Sequence, residues 1–138
     1  MKSPWLISLE IYGAKFTPSR IAIPFSRCHD QGVIGQRGRY RDQPLPYGSA
    51  SYVVPDSVPR NEAFEHLVSV FESKLEELES LGATEWHVSI GRYYYVQCNE
   101  DYSMEELSLL LRLRCGFTYS AYTISEEEEL AFDNTESK

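Results

Sequence analysis

Cys28-His29-Asp30 places a nucleophile, a base and an acid at three consecutive positions of this 138-residue chain. A nucleophilic cysteine needs its base beside it in space, and neighbouring side chains on extended backbone point to opposite sides. The trio therefore reads as polar loop residues rather than a catalytic unit. His66, His87 and Cys98 add ligand-type side chains, but with Cys28 and His29 they show no zinc-type spacing. No metal or other cofactor is expected. Glu76 and Glu77 are adjacent carboxylates, and on a helix they point about 100° apart, which rules out a shared-proton pair. Gln36-Arg37-Gly38-Arg39-Tyr40-Arg41 interleaves cations with an aromatic, a pattern seen in nucleic-acid binders. The plainer account is a flexible basic loop that neutralises acidic residues elsewhere in the chain.

Charge is the feature that remains. Residues 1–60 carry eight Lys/Arg against four Asp/Glu, and residues 61–138 carry five against seventeen, so the halves hold +4 and −12. Much of the excess forms one stripe. Phe64, Leu67, Phe71, Leu75 and Leu78 recur at helical spacing. With about 100° per residue and residue 62 at zero, they fall near ~140–220°, whereas Glu62, Glu65, Glu72, Glu76 and Glu79 fall between ~260° and ~360°. Like charges at helical spacing cost roughly 0.2–0.5 kcal/mol per pair, and a solvated face has no need of a single sign. A basic partner accounts for the stripe. The net charge of −8 argues against nucleic acid as that partner, because phosphates are neutralised by Lys and Arg.

The elements that must position these residues follow from periodicity. Trp5–Tyr12 reads as a first strand ending at Gly13, and Thr17-Pro18 as the cap and first position of a short helix stopped by Pro24. Residues 25–48 are rich in Gly and Pro and read mostly as loop, with Val33-Ile34 and Tyr40 marking a short strand. Ala50–Val54 is a strand closed by Pro55. The acidic stripe belongs to one helix over about 61–81, with Gly82 just past its end. Trp86–Val96 alternates as a long strand whose even positions, Arg92 excepted, form the more apolar face. On the other face Tyr93 and Tyr95 stand as exposed anchors or lie under a second sheet layer or a loop. Ser103-x-x-Glu106 is a capping box before a helix that is apolar nearly all round, hence expected to be well buried. Phe117–Thr123 makes a last strand. Phe16-Thr17-x-x-x-Ile21 and Tyr102-Ser103-x-x-x-Leu107 match at an offset of 86 residues, which suggests an internal strand–turn–helix duplication, with chance as the alternative.

Together these elements predict an α+β two-layer sandwich: one mostly antiparallel sheet with two main helices on one face. Residues 1–124 form a single globular domain, and 125–138, with four consecutive Glu, form an acidic disordered tail. A hydrophobic fraction of 42% supports a packed core without disulfides or metal. Three cysteines make an odd number that fits reduced thiols. No apolar run approaches the roughly 18 residues of a membrane span. The first residues lead into a strand with no signal-peptide core, so a cytoplasmic location is expected.

Tyr93-Tyr94-Tyr95-Val96-Gln97-Cys98-Asn99, the capped Ser103-x-x-Glu106-Leu107 and the closing Tyr119-Ser120-x-Tyr122 resemble a bacterial family of domains of unknown function. Ser8-x-x-Ile11-x-Gly13-x-x-Phe16-x-Pro18 matches its opening. Residues 25–60 and the acidic tail lie outside the resemblance, and the family offers no catalytic residues to carry over. Small acidic domains of this kind are similar to immunity proteins, which bind and block a cognate bacterial toxin domain. The resemblance implies a non-catalytic inhibitor of a basic toxin, with nucleases among the candidates. Glu62, Glu65, Glu72, Glu76 and Glu79 would steer and pair with it, and Tyr93 and Tyr95 would anchor it. The competing expectations are a ligand-binding or enzymatic domain built on the 25–48 loop with Cys28, His29 and Arg37, and a structural homodimer.

Overall fold

Alternation along the first strand decides which side of the sheet is buried. In the computed structural model, which describes residues 3–132, β1 (Trp5–Gly13) turns Ile7, Leu9 and Ile11 into the core and Leu6, Ser8, Glu10 and Tyr12 to the other side. β1 is the central strand of a five-stranded sheet ordered β2-β3-β1-β4-β5. Its neighbours are β3 (Gly48–Val53) and β4 (Glu85–Tyr94), both antiparallel to it; β2 (Arg27–His29) joins β3 antiparallel, and β5 (Phe117–Thr123) joins β4 parallel. The register places Val88 and Ile90 beside Leu9 and Ile7, and Ala50 and Tyr52 beside Ile11 and Leu9, which makes one apolar face.

That face is covered by α1 (Ala63–Phe71), α2 (Leu75–Ser80) and α3 (Met104–Arg112). Phe64, Leu67, Phe71, Leu75 and Leu78 are all at most 5% exposed and form the core with the sheet residues. The chain thus has the α+β architecture expected of it, with one mostly antiparallel sheet and two main helical segments on one side. The long helix expected over 61–81 is divided: one 3-10 turn, Arg60–Glu62, precedes α1 and another, Glu72–Lys74, separates α1 from α2. The tighter turn still leaves Phe71 and Leu75 on the core side. Gly82 follows with φ 103°, and a Cβ there would lie 2.3 Å from the Lys15 carbonyl oxygen, so glycine is required by both conformation and space.

Several local expectations need correction. Pro18–Arg20 is a single 3-10 turn, and Thr17 does not cap it; its N–H donates to the Leu81 carbonyl at 3.0 Å instead. Ser103 does cap α3 through a complete capping box, with Glu106 N–H donating to its Oγ at 3.1 Å. The two units proposed as a duplication therefore share a sequence pattern without sharing a helix. In the 25–48 segment the strand is Arg27–His29, whereas Tyr40 ends a 3-10 turn and Ile34 forms only an isolated bridge to Pro44. The alternation expected to run to Val96 stops at Tyr94. Beyond residue 124 the acidic segment does not begin as disordered tail. Ser125 caps α4 (Glu126–Leu130) with a second capping box, and Phe132 is buried against the Tyr93 ring. The rest of the expected tail, 133–138, lies outside the described residues. Among the described residues no helix is long and apolar enough to cross a membrane.

The start of α1 is tied to the start of α3 by Arg60. Its guanidinium meets Glu106 at 2.7 Å, approaches Glu100 at 4.0 Å, and sits 4.9 Å from the Trp5 ring and 5.3 Å from those of Phe64 and Tyr102. Arg92, the charged residue on the core face of β4, lies 4.6 Å from the same Trp5 ring, so the indole is flanked by two guanidinium groups. Glu106 also accepts from the Ser103 N–H at 3.2 Å, which joins the ion pair to the helix cap. Burial pushes the Glu100 carboxyl and, with Glu100 itself, the Tyr102 hydroxyl upward, the latter to about 12. Breaking a buried pair leaves the remaining carboxylates uncompensated. Arg60→Ala is expected to destabilise the fold by about 3–5 kcal/mol, read from chemical denaturation, and a loss under 1 kcal/mol, the range of a surface pair, would contradict this role.

Candidate functional site: the acidic helix face

Because the Phe/Leu stripe of α1 and α2 is consumed by the core, the glutamates of the same segment must face solvent. Glu62, Glu65, Glu72, Glu76 and Glu79 are all exposed. Two of them are paired from α3 and the turn after it. Arg112 holds Glu72 in a bidentate fork at 2.6 and 2.8 Å, and Arg114 meets Glu79 at 3.1 Å. Glu62, Glu65 and Glu76 have no cation within ion-pair distance among the described residues. Between α1 and α3 runs an open groove of about 480 Å³ whose lining includes Glu65, Val68, Glu72, Leu109 and Arg112. Its Glu72 is occupied by Arg112, which leaves Glu65 as the lining carboxylate without a cation among the described residues, beside the aliphatic Val68 and Leu109.

The basic loop does not neutralise this face. Arg37, Arg39 and Arg41 are exposed, and none has a carboxylate within 4.0 Å among the described residues; Arg39 lies over its neighbour Tyr40 instead, 5.7 Å from the ring centre. The stripe is offset by Arg112 and Arg114, two residues whose sequence position gives no hint of it.

The tyrosines do not join the glutamates. Tyr93 lies on the sheet side away from the helices, stacked between Tyr122 at 5.4 Å and Phe132 at 6.0 Å. Tyr95 is 40% exposed and lies past the end of β4. The sequence-derived site therefore divides into an exposed acidic face and a tyrosine covered from the opposite side of the sheet.

The 25–48 loop is ordered around hydrogen bonds. Asp30 accepts from the Ser19 N–H at 2.9 Å and from its hydroxyl, which commits the acid of the Cys-His-Asp trio to a turn. Cys28 pairs with Ala50 on the helix side while His29 pairs with Ser49, whose side chain is on the other side, so the two point apart. Burial and then Asp30 push the Cys28 thiol up, and burial pushes Cys115 up to about 11. Both shifts run against a thiolate nucleophile. A hollow of about 300 Å³ beside the loop is lined by His29, Gln36 and Arg37 together with aliphatic side chains. Among the described residues no three His, Cys, Asp or Glu side chains gather in a metal-binding group.

A second polar surface went unread in the sequence. On the side of the sheet away from α1–α3, Glu10 accepts from the Ser8 and Ser51 hydroxyls at 2.7 and 2.6 Å, with Arg27 at 3.4 Å, and the Tyr12 ring stacks on His87 at 6.2 Å. The signal was available as the even positions of the first strand, Ser8-x-Glu10-x-Tyr12, alternating with Ile7, Leu9 and Ile11. The Glu10 carboxylate is satisfied by these neighbours, and an open hollow of about 390 Å³ beside Tyr12 is lined by Tyr47, Thr84 and Glu85.

The Arg112 fork holds the Glu72 carboxyl below the usual range, chiefly through its hydrogen bonds. A carboxyl depressed in the folded state stabilises it above the ordinary carboxylate range, and that contribution is lost as pH falls through the folded value. Arg112→Gln is expected to return Glu72 upward in a carboxyl NMR titration, whereas an unmoved Glu72 would show that the fork does not hold in solution. No family model, curated protein or solved structure matches the chain.

Proposed function

We propose that the chain is a non-catalytic binding domain whose acidic helix face docks a basic protein, most concretely as an immunity-type inhibitor of a basic toxin domain. What supports this is that Glu62, Glu65 and Glu76 are exposed with no cation in ion-pair distance among the described residues, Glu65 at an open groove, on a helical layer otherwise consumed by the core. Clustered like charge raises the rate at which an oppositely charged partner finds the surface and penalises wrong partners. Glu72 and Glu79 already have partners in Arg112 and Arg114, so a basic partner would either exchange for those arginines or bind beside them. Tyr93 drops out of the interface, because it lies on the far side of the sheet under Phe132.

The test is capture from native lysate with the wild-type chain and with Glu62→Lys/Glu65→Lys/Glu76→Lys, followed by stopped-flow association with the purified captured protein. The expected partner is basic, elutes with salt, and associates roughly 10–100-fold more slowly with the triple variant, with a flattened salt dependence. An unchanged on-rate would reject the docking face.

A further inference from the structure

Where β1 ends and β3 and β4 begin, two tyrosines and a carboxylate meet around one hollow. Glu85 stands directly opposite Tyr12 in the β1–β4 register, and Tyr47 precedes Gly48, which is opposite Gly13. Directly opposed residues of an antiparallel pair bring their Cβ atoms to about 4.5–5.5 Å. Tyr12, Tyr47 and Glu85 line the open space of about 390 Å³, with Gly13, Ala14 and Thr84 completing it. The space exists because Gly13 and Ala14 bring at most a methyl group to it.

Each ring is held by a neighbour outside the hollow. Tyr12 stacks on His87 at 6.2 Å, and Tyr47 stands edge-on to Tyr40, 6.5 Å away at 87°. Burial, and after it Glu10, push the Tyr12 hydroxyl upward against Arg27, and Tyr47 and Glu85 add to the rise, so both lie within electrostatic reach of its oxygen. Arg27 is committed to Glu10 at 3.4 Å. Glu85 is exposed and has no cation within ion-pair distance among the described residues, and no Lys or Arg lines the hollow. Thr84 directs its N–H and its hydroxyl to the Tyr12 carbonyl, at 2.9 and 3.4 Å. What the hollow presents is therefore one carboxylate and aromatic surface, with no positive group.

We infer that this hollow binds the quaternary ammonium group of a small organic cation, with Glu85 as counter-charge and Tyr12 and Tyr47 as aromatic walls. This goes beyond the docking reading and is independent of it, since Tyr12 faces the side of the sheet away from α1 and α2. The negative face of an aromatic ring attracts a cation, and a carboxylate beside it adds charge attraction. The donor count then selects among cations. A primary ammonium brings three N–H donors and a guanidinium five, each of which needs an acceptor, whereas Glu85 is the one carboxylate lining the hollow. A quaternary ammonium brings no donor, and its methyl groups pack on the rings. A divalent metal ion takes roughly six or more oxygen ligands, and among the described residues no three ligand-type side chains gather.

The test titrates choline chloride into the isotope-labelled full chain at constant ionic strength and follows the backbone amides by NMR. The control is the uncharged isostere of choline, in which a tert-butyl group replaces the trimethylammonium. Choline is expected to give saturable shifts at Gly13, Ala14, Thr84 and Glu85, and the isostere none. Tyr47→Leu, which keeps an apolar wall at an exposed position, and Glu85→Gln are each expected to weaken binding roughly fivefold or more, with the rest of the spectrum unchanged as the check on folding. The Glu62→Lys/Glu65→Lys/Glu76→Lys variant is expected to bind choline as the wild-type chain does, which keeps this site separable from the docking face. No saturable shift, an equal response to the isostere, or undiminished binding by Tyr47→Leu and Glu85→Gln would overturn the proposal. Shifts centred on Glu62, Glu65 and Glu76 would overturn it as well, by assigning the binding to general negative charge.

Discussion

The packing of Phe64, Leu67, Phe71, Leu75 and Leu78 onto Leu9, Ile11, Val88 and Ile90 is the interaction on which the rest of the molecule depends. It uses one face of α1 and α2 and one face of the central strands, and it fixes the rotation of the helical segment about its own axis. Once that rotation is fixed, the glutamates have only solvent to face. The exposed acidic face is therefore a geometric consequence of the core. The Arg60 clasp extends the same arrangement to its corner, where the helical layer ends and Trp5, between two guanidinium groups, closes the gap.

Coverage by a single helical layer also explains where polarity collects. The far side of the sheet is floored by small serines, of which Ser8 and Ser51 donate to Glu10 and satisfy its carboxylate locally. At the β5 end the covering is done by Phe132, brought back over Tyr93 and the strand next to it by the short α4. On the helical side Tyr102 packs on Phe117 and Cys98 meets the Tyr119 hydroxyl, while Met104 and Leu111 of α3 stay exposed.

Much of this was legible in the sequence wherever a single period ran long enough. The Phe/Leu stripe, the capping box at Ser103, the strand at Trp5 and the turn at Gly82 all rest on local patterns that tertiary structure reinforces. What was not legible depended on partners distant in sequence. Arg112 and Arg114 neutralise glutamates some 35–40 residues away, and no local rule points to them over Arg37, Arg39 and Arg41. Phe132 lies in a segment whose charge run suggests disorder, and its cover of Tyr93 depends on where the sheet ends. The burial of α3 was misjudged because composition reports that a helix is apolar and not whether enough chain remains to cover it.

A basic partner that docks on the acidic helix face must shield its glutamates from solvent. Carboxyl-labelling mass spectrometry of the chain, alone and bound to the captured partner, tests it most directly. The account predicts that Glu62, Glu65 and Glu76 lose labelling in the complex while Glu126 and Glu127 on α4 do not. Undiminished labelling of those three glutamates in a fully formed complex would contradict it.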